Sequence, residues 1–468
     1  MRLKAEEIAQ VTGGRLVGPD VWVDGAGIDS RQIRPGQLFV PVTAARDGHR
    51  YIAAALKGRG GEAGRSGEAG AAAFLCRPGY LDGAEALVGG GFGALPATFT
   101  AIVVDDPMAA LTTLGTAARD RLGDRVVGIT GSVGKTTTKD LLASVLSQQW
   151  LTAASPGSFN NELGVPLTLL ESPEGTEAVV VEMGARGRGH VAALVAVARP
   201  TVGIVTTVGV CHTHQFGSVE SVARSKAELV AGLPSAGTAV LNGDVALVAA
   251  MAENTAARVL TFGLGTPEVA SRPDVWADQV VLDDNLCASF VCHSPWGTAQ
   301  VSLSVRGDHQ VANALAVAAA ALACGATLDD VVVGLGEART SPWRMALGHT
   351  TSGAVVINDT YNANPLSVES ALRSLATLAA SRRVAVLGHM AELGHLSAAE
   401  HARMGALAAE LGLEVIAVDE PAYGATTAAT IAEAIVLLGR LETGDAVLVK
   451  GSRAAGLEVL AQALVTDH

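Results

Sequence analysis

The sequence is poor in aromatic residues, in paired cysteines and in long apolar runs. Phe, Trp and Tyr make up 4% of it, so Ala, Val, Leu and Gly must fill its cores, as in tightly packed α/β proteins. The five cysteines, Cys76, Cys211, Cys287, Cys292 and Cys324, are scattered, odd in number and without a CxxC pair, which fits idle thiols in a reducing cytoplasm. The longest apolar stretch, from Val311 to Cys324, is mostly alanine, is interrupted by Asn313 and is too short to span a bilayer. Met1-Arg2-Leu3-Lys4-Ala5-Glu6-Glu7 lacks the apolar centre of a secretory signal. A net charge of −13 argues against nucleic acid or an anionic membrane as partner. Any anionic ligand must be met by local basic groups and helix ends. The expectation is a cytoplasmic, soluble protein.

What is present is organised in blocks. A length of 468 residues suggests about three domains. In the first hundred residues, short strands at 21–23 and 37–40 alternate with Gly/Pro turns, and the Gly-rich tract 57–67 has loop composition. A strand at 101–104 precedes Pro107 and an Ala/Leu-rich helix reaching about 122. Strand, loop and helix then repeat, with strands at 126–129, 179–181, 202–206 and 239–241, implying a parallel sheet covered on both faces. Residues 275–305 read as a hairpin turning at Ser294-Pro295-Trp296-Gly297, and a helix starts near His309. After Thr340-Ser341-Pro342-Trp343, a further α/β stretch has strands at 355–357, 384–387, 415–418 and 446–449. No repeat of solenoid period is present. The fold class is α/β, with domains expected at 1–106, 107–340 and 341–468.

The most telling segment is Gly131-Ser132-Val133-Gly134-Lys135-Thr136-Thr137, between the strand at 126–129 and a helix expected over 138–150. A glycine loop there lets backbone N–H groups close around phosphate, and the helix N-terminus adds its dipole. Lys135 would reach the β/γ-phosphates, and the Thr136 hydroxyl would meet a magnesium ion. The match is relaxed, with Ile129 where the strict pattern has glycine.

Polar clusters follow other strands, where open parallel sheets bind ligands. Glu182 follows its strand directly, either as a magnesium ligand or as a solvated loop carboxylate. His212 and His214 follow the strand at 202–208; His212 could touch a metal or phosphate, but the neighbourhood is too poor in ligands for zinc. Asn313 enters an Ala-rich helix as a cap or a ligand contact. Lys226 has the spacing of an ordinary helix lysine. Asn358-Asp359-Thr360-Tyr361-Asn362-Ala363-Asn364-Pro365 is dense in polar groups and ends in a helix-capping pair.

In order along the chain come D-S-R at Asp29-Ser30-Arg31, P-G-x-L-F-V at 35–40, D-G-H at Asp47-Gly48-His49 and T-G-S-V-G-K-T-T at 130–137. Then come N-N-x-x-G-V-P from Asn160-Asn161, E-M-G-A from Glu182, the His212 loop with F-G-S, S-K-A-E at 225–228 and H-x-x-x-N-A-L-A from His309. Arg344-Met345, the D-x-Y-N-A-N-P run, A-E-L-G at Ala391 and V-K-G-S-R at Val449 complete the series. With these motifs the sequence resembles the Mur ligases, ATP-dependent amide-forming enzymes of peptidoglycan synthesis. Y-N-A-N-P, G-S-V-G-K-T and V-K-G-S-R are similar to the last-acting member, and the D-N-P-R run of the preceding member is absent.

The resemblance implies a UDP-sugar-binding domain, a central ATPase domain and a C-terminal Rossmann-like domain. It implies ATP as co-substrate, Mg2+, and UDP-N-acetylmuramoyl-tripeptide and D-alanyl-D-alanine as the joined substrates, with a monomer as the working form. Lys135, Glu182, His212 and Lys226 would be catalytic. Lys226 is expected as a carbamate that shares the metal with Thr136, Glu182 and His212. Gly131 to Thr137, Asn313, Arg344 and Asp359 would hold ATP. Ser30, Arg31, Asp47, His49, Asn160, Asn161, Tyr361 and Asn362 would serve the substrates. Three departures from the family's habit stand out: His214 and His389 where acidic residues are usual, and Gln310 where asparagine is common. They keep open a paralogue joining another carboxylate and amine. A folylpolyglutamate-synthase-like ligase is disfavoured by Asp29-Ser30-Arg31, and a non-catalytic nucleotide-binding regulator by the presence of Lys135, Thr136, Glu182, His212 and Lys226.

Overall fold

The computed structural model describes residues 1–44, 46–58, 70–81, 95–96, 98–210, 216–265 and 272–466. Most of the 57–67 tract, Cys211, His212 and His214 lie outside the described residues. Contacts divide the chain into two compact units. One holds Met1–Gly128, Trp150–Met183 and Ala192–Pro200; the other holds Ile129–Gln149, Gly184–Val191 and Thr201–His468.

A five-stranded sheet lies near the start, in the order Arg15–Val17, Ala101–Val103, Ala73–Cys76, Leu38–Phe39, Ala26–Gly27. Its last four strands are parallel, and Ala73–Cys76 is buried throughout, the continuous apolar run expected of a covered parallel strand. In the same unit, Asp106 caps helix Pro107–Arg119 by accepting the Met108 N–H, and proline fills the first helical turn. That helix lies against Gly164–Glu171.

The nine-stranded sheet runs Gly297–Arg306, Cys287–Ser294, Val275–Leu282, Arg258–Gly263, Thr238–Asn242, Val202–Val205, Arg125–Thr130, Ala178–Glu182, Thr152–Ala154. The turn expected at 294–297 is present, but residues 275–306 form three antiparallel strands and not a simple hairpin. Val275–Leu282 is the seam: it pairs parallel with Arg258–Gly263 on one side and antiparallel with Cys287–Ser294 on the other. An alternating pattern reports a half-buried strand and says nothing of what lies on its other edge.

The six-stranded sheet runs Ala346–His349, Val355–Asp359, Asp445–Lys450, Arg382–Leu387, Glu414–Val418, Thr426–Ala428, parallel except for its first member. Two apolar cores cover it. One includes Leu372 and Leu375 of helix Pro365–Thr377 and Met404 of helix Ser397–Glu410. The other includes Leu438 of helix Ile431–Leu438 and Leu460 of helix Glu458–Thr466. The carboxyl ends of Val355–Asp359, Asp445–Lys450 and Arg382–Leu387 carry Asp359, Lys450 and the turn Gly388-His389-Met390 side by side.

Candidate active site

The glycine loop lies between strand Arg125–Thr130 and a helix as the sequence implies, with one shift. The helix begins at Lys135 and not at 138, so Lys135, Thr136 and Thr137 form its first turn and their backbone N–H groups belong to the helix N-terminus. Gly134 is the N-cap at φ 85°, and a Cβ there would meet Asn313 Oδ1 at 2.5 Å, so glycine is required on two grounds. The loop is fastened from the segment after strand Val202–Val205. Ser132 N–H donates to the Thr207 carbonyl at 2.8 Å, and the Thr206 hydroxyl donates to the Val133 carbonyl at 2.6 Å. Lys135 turns back on its own loop, donating to the Gly131 carbonyl at 2.7 Å.

Asn313 sits in the second turn of helix Gln310–Ala323, so it is not a cap. Its amide nitrogen donates to Gln310 Oε1 at 2.7 Å, and its oxygen accepts from the Thr138 hydroxyl at 3.3 Å. Gln310, one of the departures, thus orients Asn313 beside the loop.

Glu182 ends strand Ala178–Glu182 and is only 1% exposed. Asn160 donates its amide to Glu182 Oε1 at 2.8 Å, and Glu182 N–H donates to Ser155 Oγ at 3.2 Å. The neighbouring Asn161 has a different task. Its side-chain oxygen accepts the Leu163 and Gly164 N–H groups, closing the turn into helix Gly164–Glu171. Gly164 is needed there because a Cβ would lie 2.6 Å from the Phe159 carbonyl carbon.

Lys226, in helix Val219–Ala231, is 4% exposed, which spacing alone did not reveal. Its neighbours explain the S-K-A-E string: the Ser225 hydroxyl donates to the Gly187 carbonyl at 3.0 Å, and Glu228 accepts the Gly189 N–H at 2.7 Å. The helix face beside Lys226 thereby holds the segment that follows E-M-G-A.

Helix Lys135–Leu146 also grips the connection at 340–345. Asp140 Oδ2 accepts both the N–H and the hydroxyl of Ser341, at 2.7 and 2.9 Å, and Arg344 donates to the Thr136 hydroxyl at 2.9 Å. The Arg344 guanidinium lies 4.2 Å from the Tyr361 ring centroid. Asp359 and Asn362 both contact Lys450. Asn364 is the expected cap, accepting the Ser367 N–H at 3.0 Å ahead of Pro365.

In the first unit, Asp29 holds Arg31 through two bonds of 2.9 and 2.7 Å while Arg31 stays 84% exposed. That hydrogen bond holds the Asp29 carboxyl below its usual range. Ser30 lies between them, half-buried. His49 is buried with both ring nitrogens engaged: Nδ1 donates to Asp47 at 2.6 Å, and Nε2 accepts the Arg77 N–H at 3.2 Å. His49 therefore braces Asp47 and the Arg77 backbone.

His389, His401 and Glu420 bring ligand-type atoms within 4.8 Å of one another. His401 Nδ1 faces the Ser397 carbonyl at 2.7 Å and so carries the proton, while Nε2 accepts the Met390 N–H at 2.8 Å. The His401 lone pair is spent, and its ring stacks on His389 at 5.1 Å, so the two rings do not share a metal-facing plane. Glu420 accepts from His389 Nδ1 at 2.6 Å. The departure at His389 is thus matched by a local carboxylate.

Comparison with known proteins agrees along the chain. Residues 129–321 match the Mur ligase middle domain, and residues 343–464 match the Mur ligase, glutamate ligase domain. The UDP-N-acetylmuramoyl-tripeptide–D-alanyl-D-alanine ligase of Mycobacterium tuberculosis (strain ATCC 25618 / H37Rv) is 40% identical, over 100% of this chain and 98% of the relative. A crystal structure of MurF from Acinetobacter baumannii superposes with a TM-score of 0.83 at 29% identity, covering 99% of each chain. MurF from Thermotoga maritima, solved with ADP, gives a TM-score of 0.76 at 25% identity, over 95% of this chain and 98% of that one.

Proposed function

Since this chain belongs to the Mur ligase family, we propose that it joins D-alanyl-D-alanine to UDP-N-acetylmuramoyl-tripeptide at the expense of ATP, the closing amide bond of the peptidoglycan precursor. The observation that carries this reading is the full-length match at 40% identity to a ligase of that name. ATP and a nucleotide sugar as substrates imply a cytoplasmic reaction. No helix among the described residues is long and apolar enough to cross a membrane. The working domains are residues 1–106 for the UDP-sugar, 107–340 for ATP and 341–468 for closure over both.

In the proposed reaction, the peptide carboxylate attacks the γ-phosphate of ATP, ADP leaves, and an acyl phosphate forms. The dipeptide amine then attacks the acyl carbon, the C–O bond to phosphate breaks, and inorganic phosphate departs. Lys135 leaves the Gly131 carbonyl and neutralises the transferring phosphoryl group. Asn313, held by Gln310, and Arg344, stacked on Tyr361, orient the nucleotide. Arg31, exposed and braced by Asp29, presents a fork of donors to the diphosphate of the nucleotide sugar.

The donor set suits magnesium: a threonine hydroxyl at the helix start and a buried carboxylate are hard oxygen ligands. Thr136, Glu182, His212 and a carbamate on Lys226 would hold it, and when bound it supplies positive charge against the phosphates. As an ammonium, Lys226 does not fit a cation site; the carbamate reverses its charge and supplies oxygen atoms. Phosphate release from ATP in the presence of UDP-muramoyl-tripeptide, with and without D-alanyl-D-alanine, tests the reading. Release that depends on both substrates supports it, and release indifferent to the dipeptide overturns it.

A further inference from the structure

Lys450 closes the buried strand Asp445–Lys450, and its side chain is 1% exposed. An ammonium so enclosed needs counter-charge and acceptors from the protein. It finds them on a single turn. Asp359 Oδ2 lies at 2.5 Å, the Asn362 carbonyl at 2.8 Å and the Asp359 carbonyl at 3.5 Å. The parallel ladder sets this up by placing Lys450 opposite Asp359.

The same turn holds the segment that carries Arg344. Asp359 Oδ1 accepts the Met345 N–H at 3.1 Å, and the Tyr361 N–H donates to the Trp343 carbonyl at 3.2 Å. These bonds seize the residues on either side of Arg344. Trp343 and Met345 stand at φ 62° and 50°, the left-handed region that bulky side chains avoid unless their surroundings impose it. Between them Arg344 lies over the Tyr361 ring and donates to the Thr136 hydroxyl. Both oxygens of Asp359 are therefore engaged in holding the turn and the strained segment, and Lys450 anchors that arrangement.

We propose that Lys450 is a positioning residue for nucleotide binding. It does not touch the nucleotide, and it acts through Asp359 and the strained residues around Arg344 to aim that guanidinium at the phosphate loop. The inference rests on the ligase reading only in taking residues 131–137 as the nucleotide site. A lysine that merely stabilised the sheet would be just as buried, so the discriminating quantity is its coupling to Arg344.

The test is a double-mutant cycle on the full chain, with Mg·ADP affinity measured by calorimetry. Lys450→Met is expected to weaken binding about tenfold, or about 1.4 kcal/mol. Arg344→Ala weakens it at least as much. The double variant should match Arg344→Ala within about twofold, because the two residues act through one path. Wild-type affinity in Lys450→Met, or a double variant that multiplies the two losses, overturns the proposal. Lys450→Arg keeps the charge and guards against a folding failure. In it, hydrogen exchange at the Met345 and Tyr361 amides should quicken while that of the strand interiors does not, and unchanged protection at both amides counts against the role. Dipeptide-dependent phosphate release is scored separately, so a failure of the ligase reading leaves this cycle legible.

Discussion

Asn160 and Glu182 are joined by a 2.8 Å hydrogen bond from the asparagine amide to one carboxylate oxygen, at the carboxyl end of a strand that is buried along its whole length. A neutral donor in that place orients the carboxylate without adding charge. Asn160→Asp would remove the donor and set two carboxylates against each other, whereas Asn160→Ala only removes the donor. The aspartate variant should lose at least about tenfold in kcat, or about 1.4 kcal/mol of barrier, and more than the alanine variant. Steady-state phosphate release ranks the two; the reverse order would take Asn160 out of this role.

Lys226→Ala should fold and lose nearly all turnover. Active wild-type protein incubated with carbon-13 bicarbonate should show a carbamate resonance that the variant lacks, and acetate should restore part of the rate by filling the vacated space. Full activity in Lys226→Ala, with no carbamate signal in the wild type, would leave Lys226 as a packed helix lysine.

Arg31→Ala should weaken binding of the UDP-muramoyl peptide by about tenfold or more, as expected for a charge-assisted contact, and leave ATP affinity within about twofold. Calorimetry with each ligand separates the outcomes. Equal weakening of both would mean that the Asp29–Arg31 pair shapes the protein and not the substrate.

Burial lowers the pKa of His401 below the ordinary value, with the facing Glu420 and Glu400 carboxylates working against that and His389 adding to it. The folded protein thus binds this proton less readily than the unfolded chain does. Stability from the neutral ring is complete above the unfolded value of about 6.5 and is lost as pH falls from there toward the folded value. Thermal melts at pH 8, 6 and 5 should show a steeper loss for the wild type than for His401→Gln. Parallel losses would show that some other group carries the acid sensitivity.

The class of fold, its parallel sheets and the glycine loop between strand and helix are legible because each rests on local pattern: apolar runs of strand length, glycine between strand and helix, Asn364-Pro365 at a helix start. Lys226 was not, because helical spacing cannot report that a lysine is enclosed. Nor were Lys450 and Asp140, whose partners Asp359 and Ser341 lie 91 and 201 residues away along the chain. In sequence, Asn313 reads equally as a cap or a ligand contact, and only its place in the second helical turn excludes the cap. The third antiparallel strand within 275–306 was missed for a related reason: pairing on a strand's far edge leaves no mark on its own alternation.

Helix Gly164–Glu171 is tied at both ends. Asn161 closes the turn at its start, next to the Asn160–Glu182 pair, and Glu171 at its end accepts from Arg34, from Gln37 Nε2 at 2.9 Å and from the Ala26 N–H at 2.7 Å. The opening hundred residues are therefore not a cassette that can be exchanged freely with those of a sister enzyme. A chimaera that imports a foreign head onto this body would strand a carboxylate without its three donors, at the far end of the helix whose start adjoins the Asn160–Glu182 pair. An exchange of these opening residues would keep that carboxylate satisfied only if residues 25–37 and Glu171 travel as one inheritance.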